Sequence, residues 1–539
     1  MKKFIFNSII ILSLLLQGCE DNFDPKIYGT LSTTNFPQTE SDYESYLMVG
    51  YLPLSGIWGY NFSDWNHPFY SVESGVIKFF DATSDYNNPA FIHNWGSSYL
   101  EWSADNFVNA TLYGRGSSGA QPSHFEKVRE VTRLTKIVGA IHDATTISAM
   151  KQKELEGEAR LLRGIMMYYL LHIYGPVPVI VDPDLIGNAE TERNMVRPDL
   201  GQMVQWIYDD LDYAQQNMTN SAPNGRYTAD YARFFLMKHC LNEGAQHNEF
   251  YDKAIELYQA LKTSDKHYGL FTDGNNPFVE QFKQGNKFNK EIIMALSVSK
   301  DAEGDKYGNF FPVSFYVVPA DAAKYDKDNK PTPFELQGPG WEQVYNVAPA
   351  FYGTYENGDK RKEVVLTSYT VDNAERTLIT RADIGVKWDG FIINKYPVEI
   401  VNPYQPTDFP LARWADVLLM YAEAVARKTS AVPTGEAMQA VNKVRTRAGL
   451  GTLQGAATTN FEDFMEALLL ERGHEFLYEG QRKIDLIRFN RFRHNLKEIK
   501  NVEPTSQYIP IPDYAVRQAE GYGKALTQEF ERPNYEQDR

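Results

Sequence analysis

Between Leu155 and Ile173 the residues Leu155, Ala159, Leu162, Met166, Tyr169 and Ile173 recur at alternating steps of four and three. That spacing draws one apolar face on an α-helix and fits no strand. Gly175 and Pro176 follow and predict the stop. A helix with an apolar stripe needs a partner to cover it. The same period predicts helices from about Ser123, over Leu200 to Gln216, Thr228 to Ala245 and Phe250 to Thr263. Near the C-terminus, Leu411, Trp414, Leu418, Ala422 and Val425 mark one face. Ala437, Val441, Val444 and Ala448 mark a second, stopping at Gly449. Phe461, Phe464, Leu468, Arg472 and Phe476 mark a third, with Asn460 as its cap and a stop near Gly480. The expected class is mostly α: a scaffold of tetratricopeptide-like helix pairs with long irregular loops and a few short strands. No strict repeat of ~34 residues is visible, so the pairs are expected to be divergent.

Residues 275–405 change character, being rich in Gly, Pro, Asn and aromatics. Short β-prone runs at Ile292 to Val298, Phe315 to Val318 and Glu363 to Thr370 predict minor strands among loops. The expected organisation is a leader over 1–18, a tether over 19–40, an N-terminal helical region with an aromatic segment over 41–274, and a C-terminal region over 275–539. Within the last, 275–405 is loop-rich and 411–500 helical.

The leader is read from its chemistry. Lys2 and Lys3 precede a mostly apolar run from Phe4 to Leu16. That is shorter than the ~20 residues a membrane-spanning helix needs and suits an export signal. It ends Leu15, Leu16, Gln17, Gly18, Cys19, which resembles a bacterial lipobox, with Cys19 the acylated residue. Glu20, Asp21 and Asp24 follow, an acidic run that resembles a surface-export signal of lipoproteins. Cys19 and Cys240 are the two cysteines, too few for a disulfide framework. A formal net charge of −16 argues against a general nucleic-acid binder, which needs a basic face.

Chemical motifs are sparse. Gly114, Gly116 and Gly119 satisfy the letters of a dinucleotide loop, but Pro122 interrupts and no strand–helix–strand alternation follows, so no cofactor is expected. His474 and Glu475 start a zinc-like motif whose second histidine position is Tyr478, so no metal site is expected there. Glu471, Glu475 and Glu479 share a helix face. Two carboxylates can serve glycoside hydrolysis, but these lie among Phe476, Leu477 and Ile484 beside several arginines, which reads as structural ion pairing.

The aromatic segment is more informative. From Tyr51 to Trp102, 14 of 52 residues are Trp, Tyr or Phe, about twice the chain's 14%. They follow neither helical nor strand spacing throughout, so they do not all share one buried face. Asn and Asp are interleaved. A second aromatic set includes Tyr307, Phe310, Phe311, Phe315, Tyr316, Trp341 and Tyr345. Sugars have apolar C–H faces and hydroxyl edges, which aromatic platforms and Asp or Asn side chains match. Trp58, Trp65, Trp95, Tyr307 and Trp341 are the stacking candidates, with Asp81, Asp85 and Asn94 for the hydroxyls. The expectation is a joint surface of 58–102 and 307–345.

The ordered motifs resemble the SusD/RagB family. Glu158, Ala159, Arg160 and Arg163, leading to Tyr174, Gly175, Val177 and Pro178, are similar to its long helix and stop. Asn289, Glu291, Ile292 and Ile293 resemble its N-x-E-I-I segment, and Gly358 to Arg361 its acidic-then-Arg motif. Arg413 to Ala424, Asn442 to Leu450, Glu471 to Arg482 and Tyr508 to Pro512 continue in family order. Gly473 and His474 depart from it, as does the charged tail. The resemblance implies a lipid-anchored outer-membrane protein facing the cell exterior. It would capture a glycan and pass it to a SusC-like TonB-dependent transporter, without being an enzyme. A peptide-binding relative of the same architecture is the alternative, and a surface glycosidase a weaker one.

Overall fold

The structure, a computed structural model, describes residues 36–56, 68–72, 75–88, 124–298, 316–336, 345–380, 390–401, 405–504 and 506–530. Its longer helices are α1 Glu40–Met48, α2 Lys127–His142, α3 Ala149–Tyr174, α4 Leu200–Asn217, α5 Ala229–Glu243 and α6 Glu249–Lys262. After a loop-rich stretch come α7 Trp414–Thr429, α8 Gly435–Arg447, α9 Phe461–Glu475, α10 Arg482–Arg488 and α11 Asp513–Gly521.

The period that marks one face of α3 understates its burial. Every residue from Leu155 to Tyr174 except Arg160 is buried, so α3 is wrapped on all sides. Ser148 caps its start by accepting from Lys151 N–H, and Gly175 ends it at φ +77°. α2 and α4 pack against it, α5 packs on α4, and α6 on α5. Among the charged residues buried here, Arg163 on α3 makes a two-bonded pair with Asp210 on α4, at 2.7 and 2.8 Å. The succession continues across 151 intervening residues, because α6 packs directly on α7. There Tyr258 stacks on Tyr421 with ring centroids 3.7 Å apart. α7 then carries α8 and α9. Consecutive antiparallel pairs in this order make the fold mostly α and tetratricopeptide-like.

Among the described residues, six short strands lie in the intervening region: β1 Ile292–Leu296, β2 Val365–Leu366, β3 Tyr369–Thr370, β4 Leu378–Ile379, β5 Ile392–Ile393 and β6 Phe409–Arg413. They pair antiparallel as β1–β6, β2–β5 and β3–β4. β6 corrects the expectation that Leu411 opens a helix. Pro410 lacks the N–H that a helix interior needs, and the strand's polar groups pair with β1 in the register Ile292↔Arg413. α7 starts at Trp414, whose N–H donates to Glu291 O. The β-prone run at Tyr316 to Val318 forms no strand. Among the described residues no helix is long and apolar enough to cross a membrane. Cys19 lies outside the described residues, and Cys240 is buried as a free thiol.

Candidate functional site

The three glutamates of α9 and its exit are ion-paired as expected, but with remote partners; the neighbouring Arg472, Arg482 and Arg488 pair instead with Asp416, Asp485, Asp85 and Glu423. Arg361 reaches Glu471 at 2.7 Å and Asp359 at 2.8 Å. Arg413 reaches Glu291 at 2.6 Å, Glu475 at 2.9 Å and Glu479 at 2.6 Å. Arg447 binds Glu291 at 3.0 Å and also Glu475, and Lys395 binds Glu479. All these groups are buried except Glu479, which is partly so. Burial alone would push the Glu475 carboxyl up, but Arg447, Arg413 and Arg361 together hold it well below the usual range. Burial, then the nearby arginines, hold the His474 imidazole well below its ordinary value. Carboxylates engaged in this way are not free to act as acid and nucleophile on a sugar. Among the described residues no group of His, Cys, Asp or Glu is placed to hold a metal ion.

A second set of contacts lies beside this frame. The turn Ile77–Ala82 carries Asp81, whose carboxylate accepts from the N–H groups of Gly480, Gln481 and Arg482 at 2.6, 3.2 and 3.1 Å. Burial raises its pKa to about 7 against those donors. Asp85 takes Arg482 Nε and Nη2, both at 2.8 Å. Tyr86 Oη donates to Gly473 O at 2.8 Å, and Ala348 N–H donates to Tyr86 O at 2.7 Å.

Around Asn346 the chain converges from several directions. Asn346 N–H donates to Asn87 Oδ1 at 2.9 Å, and Asn88 N–H donates to Asn346 Oδ1 at 3.0 Å. Tyr345 N–H donates to Tyr316 O at 2.9 Å, while its hydroxyl donates to Val72 O at 2.6 Å. Val347 and Phe391 exchange backbone bonds at 2.9 and 2.8 Å. Tyr478 donates its hydroxyl to Asn346 O. Gly390 permits the approach: a Cβ there would sit 2.3 Å from Asn346 Oδ1 and 2.7 Å from Val347 O. One border of each of the segments 89–123, 299–315, 337–344 and 381–389 therefore meets at this junction: Asn88, Tyr316, Tyr345 and Gly390.

Trp58, Trp65, Asn94, Trp95, Tyr307 and Trp341 lie outside the described residues: Asn94, Trp95, Tyr307 and Trp341 in three of those segments, Trp58 and Trp65 in 57–67. Asp81 and Asp85 require correction. Both are 0% exposed, and their oxygens are engaged by backbone N–H groups, Arg482 and Asn495. They hold the stems in place and do not face ligand hydroxyls. Tyr316 and Tyr345 are likewise core. Asn87, Asn346 and Tyr478 are organising residues that the sequence did not single out. Their one visible signal is the Asn87–Asn88 pair amid aromatics, which reads equally well as ligand contact.

Cavities open elsewhere. One of about 460 Å³ is lined by Phe125, Val179, Met195, Trp206 and Tyr514 among others. Another of about 240 Å³ lies between residues 222–226, Tyr268, Phe288 and the start of β1.

A family model described as the SusD family matches residues 204–538. A SusD-like protein of Formosa agariphila is 25% identical over 521 residues, covering 91% of this chain and 93% of the relative. The starch-binding protein SusD of Bacteroides thetaiotaomicron is 23% identical, with 90% of each chain covered. Among solved structures, a laminarin-binding SusD-like protein superposes with a TM-score of 0.68 at 18% identity, covering 92% of this chain and all of the other. Surface glycan-binding protein A of Bacteroides uniformis gives a TM-score of 0.63 at 18% identity, covering 89% and 98%.

Proposed function

The chain belongs to the SusD family, and from that premise we propose that it binds a glycan at the cell surface and delivers it to a TonB-dependent outer-membrane transporter. The observation that carries the reading is the junction at Asn346. It brings together one border of each of four segments, three of which carry the aromatic candidates Trp95, Tyr307 and Trp341. A chain spans at most ~3.6 Å per residue. Trp341 is four residues from Tyr345, and Trp95 seven from Asn88, so short tethers lead from the junction to both. Trp58 and Trp65 precede Pro68 and complete the stacking set. Asn94 supplies an amide for hydroxyls. The starch-binding and laminarin-binding relatives support a glycan as the ligand class. Binding without catalysis is favoured because the buried glutamates of α9 are all paired.

Calorimetry against plant, fungal and host polysaccharides and a peptide pool tests the reading. With a binding glycan in hand, Trp58, Trp65, Trp95, Tyr307 and Trp341 are each replaced by alanine. A stacking residue loses on the order of 1 kcal/mol of binding with an unchanged thermal midpoint, whereas a core residue loses ~3–5 kcal/mol of stability. Binding of the peptide pool alone would transfer the site to peptide capture. Shortened oligosaccharides after prolonged incubation would show catalysis. Five variants that lose stability and none that selectively loses binding would refute the site.

A further inference from the structure

The cavity of about 240 Å³ beside β1 has a chemistry of its own. Phe288 lines it at φ +56° and is 48% exposed. A bulky side chain in the left-handed region is a steric outlier, and such strain gathers where a ligand is gripped. Its neighbours hold it there: Lys287 pairs with Asp408, and Asn289 donates to Asn286 O. A second strained residue, His267 at φ +52°, separates Lys266 from Tyr268, and both of these line the cavity. The structure thus puts an exposed aromatic ring over a recess at some conformational cost.

Charge adds a second observation. The chain carries a net −16, yet Lys266 and Lys290 on this rim are exposed and form no ion pair among the described residues. Lys290 has one long polar contact, 3.5 Å to Thr272 Oγ1. The third cation on the rim, Arg226, is already neutralised by Glu158 at 2.8 Å. Asp265, next to Lys266 in the chain, accepts from Asn220 Nδ2 at 3.2 Å. Exposed Asn224 makes no side-chain hydrogen bond among the described residues. A free amide, two uncompensated ammonium groups and an exposed ring match one sugar unit that carries an acid.

We propose that this cavity binds an anionic saccharide unit, its apolar face on Phe288, its carboxylate or sulfate between Lys266 and Lys290, and a hydroxyl on Asn224. The cavity shares no residue with the junction at Asn346, so the failure of either site leaves the other standing.

Titration calorimetry of the whole mature chain tests this with four probes: trigalacturonate, a sulfated galactose oligosaccharide, a neutral galactose oligosaccharide and oligoglutamate. One of the two acidic saccharides binds, and its affinity falls as salt is raised; which one binds identifies the acid. The Lys266→Ala, Lys290→Ala double variant weakens that binding at least tenfold with an unchanged thermal midpoint. Phe288→Gly also weakens it while the midpoint holds or rises, because glycine accepts the left-handed backbone. No binding of either acidic saccharide overturns the proposal. So does equal binding of the neutral saccharide or of oligoglutamate, or acidic-saccharide binding that neither variant changes.

Discussion

Arg482 grips Asp85 through two bonds of 2.8 Å across 397 residues of chain. Both groups are buried, Asp85 completely. Arg482 also lies 5.5 Å from the centre of the Tyr86 ring, so one guanidinium joins the C-terminal frame to the strand of chain that leads into segment 89–123. Removing one partner of such a pair strands a buried charge.

Asp85→Ala should therefore cost about 3–5 kcal/mol of stability, read as a lower denaturant midpoint. Replacing both residues by apolar ones of similar volume should recover most of that loss. Equal instability of the single and double variants would show that the pair's charge balance is not the cause.

Acid stability carries the mark of Asp485. Burial opposes its ionisation, but Arg472 and Arg488 lower its pKa to about 2, from an ordinary value of 3.8. Because the folded value lies below the unfolded one, the stabilisation is complete above pH ~4 and lost as pH falls through 2. Its size is about 2 kcal/mol. Asp485→Asn should lower stability at neutral pH and flatten its decline between pH 4 and 2. An unchanged acid slope would assign the effect to other carboxylates.

At Gly390 the backbones are too close for a side chain. Gly390→Ala should cost about 1–3 kcal/mol through forced separation from Asn346. Glycan affinity should fall with it, since the borders of the segments would part. Normal affinity in the folded variant would uncouple the junction from binding.

Cys19 is the proposed lipid attachment point. Cell fractionation of Cys19→Ala should find it released from the outer membrane or held as precursor. Normal outer-membrane recovery alongside a lipid-free wild type would end that assignment.

Gentle detergent extraction should co-recover a larger barrel transporter, since a tether raises the local concentration of its partner. Repeated recovery of the protein alone in several mild detergents would argue against a stable complex.

Leu155 to Ile173, the stop at Gly175, the Asn460 cap and the inward pairing of Glu471, Glu475 and Glu479 were all legible in the sequence. The first three depend on residues within a few positions, where helical periodicity and capping act, whereas the partners of the glutamates, Arg361, Arg413 and Arg447, come from far along the chain. Tertiary structure decided what distance along the chain conceals. Leu411 has a helical period, yet the strand that contains it, Phe409–Arg413, pairs with β1, more than a hundred residues earlier. Asp81 and Asp85 sit among aromatics like candidates for sugar hydroxyls, yet Gly480 to Arg482 engage them first. Asn88, Tyr316, Tyr345 and Gly390 are remote in sequence and bound together around Asn346. A buried carboxylate takes whichever donor the fold delivers, because leaving it unpaired in a dry interior costs several kcal/mol. The sequence by itself determined most of the long helices and one buried face of each; only the assembled interior determined how far that burial extends and which polar groups were left for a ligand.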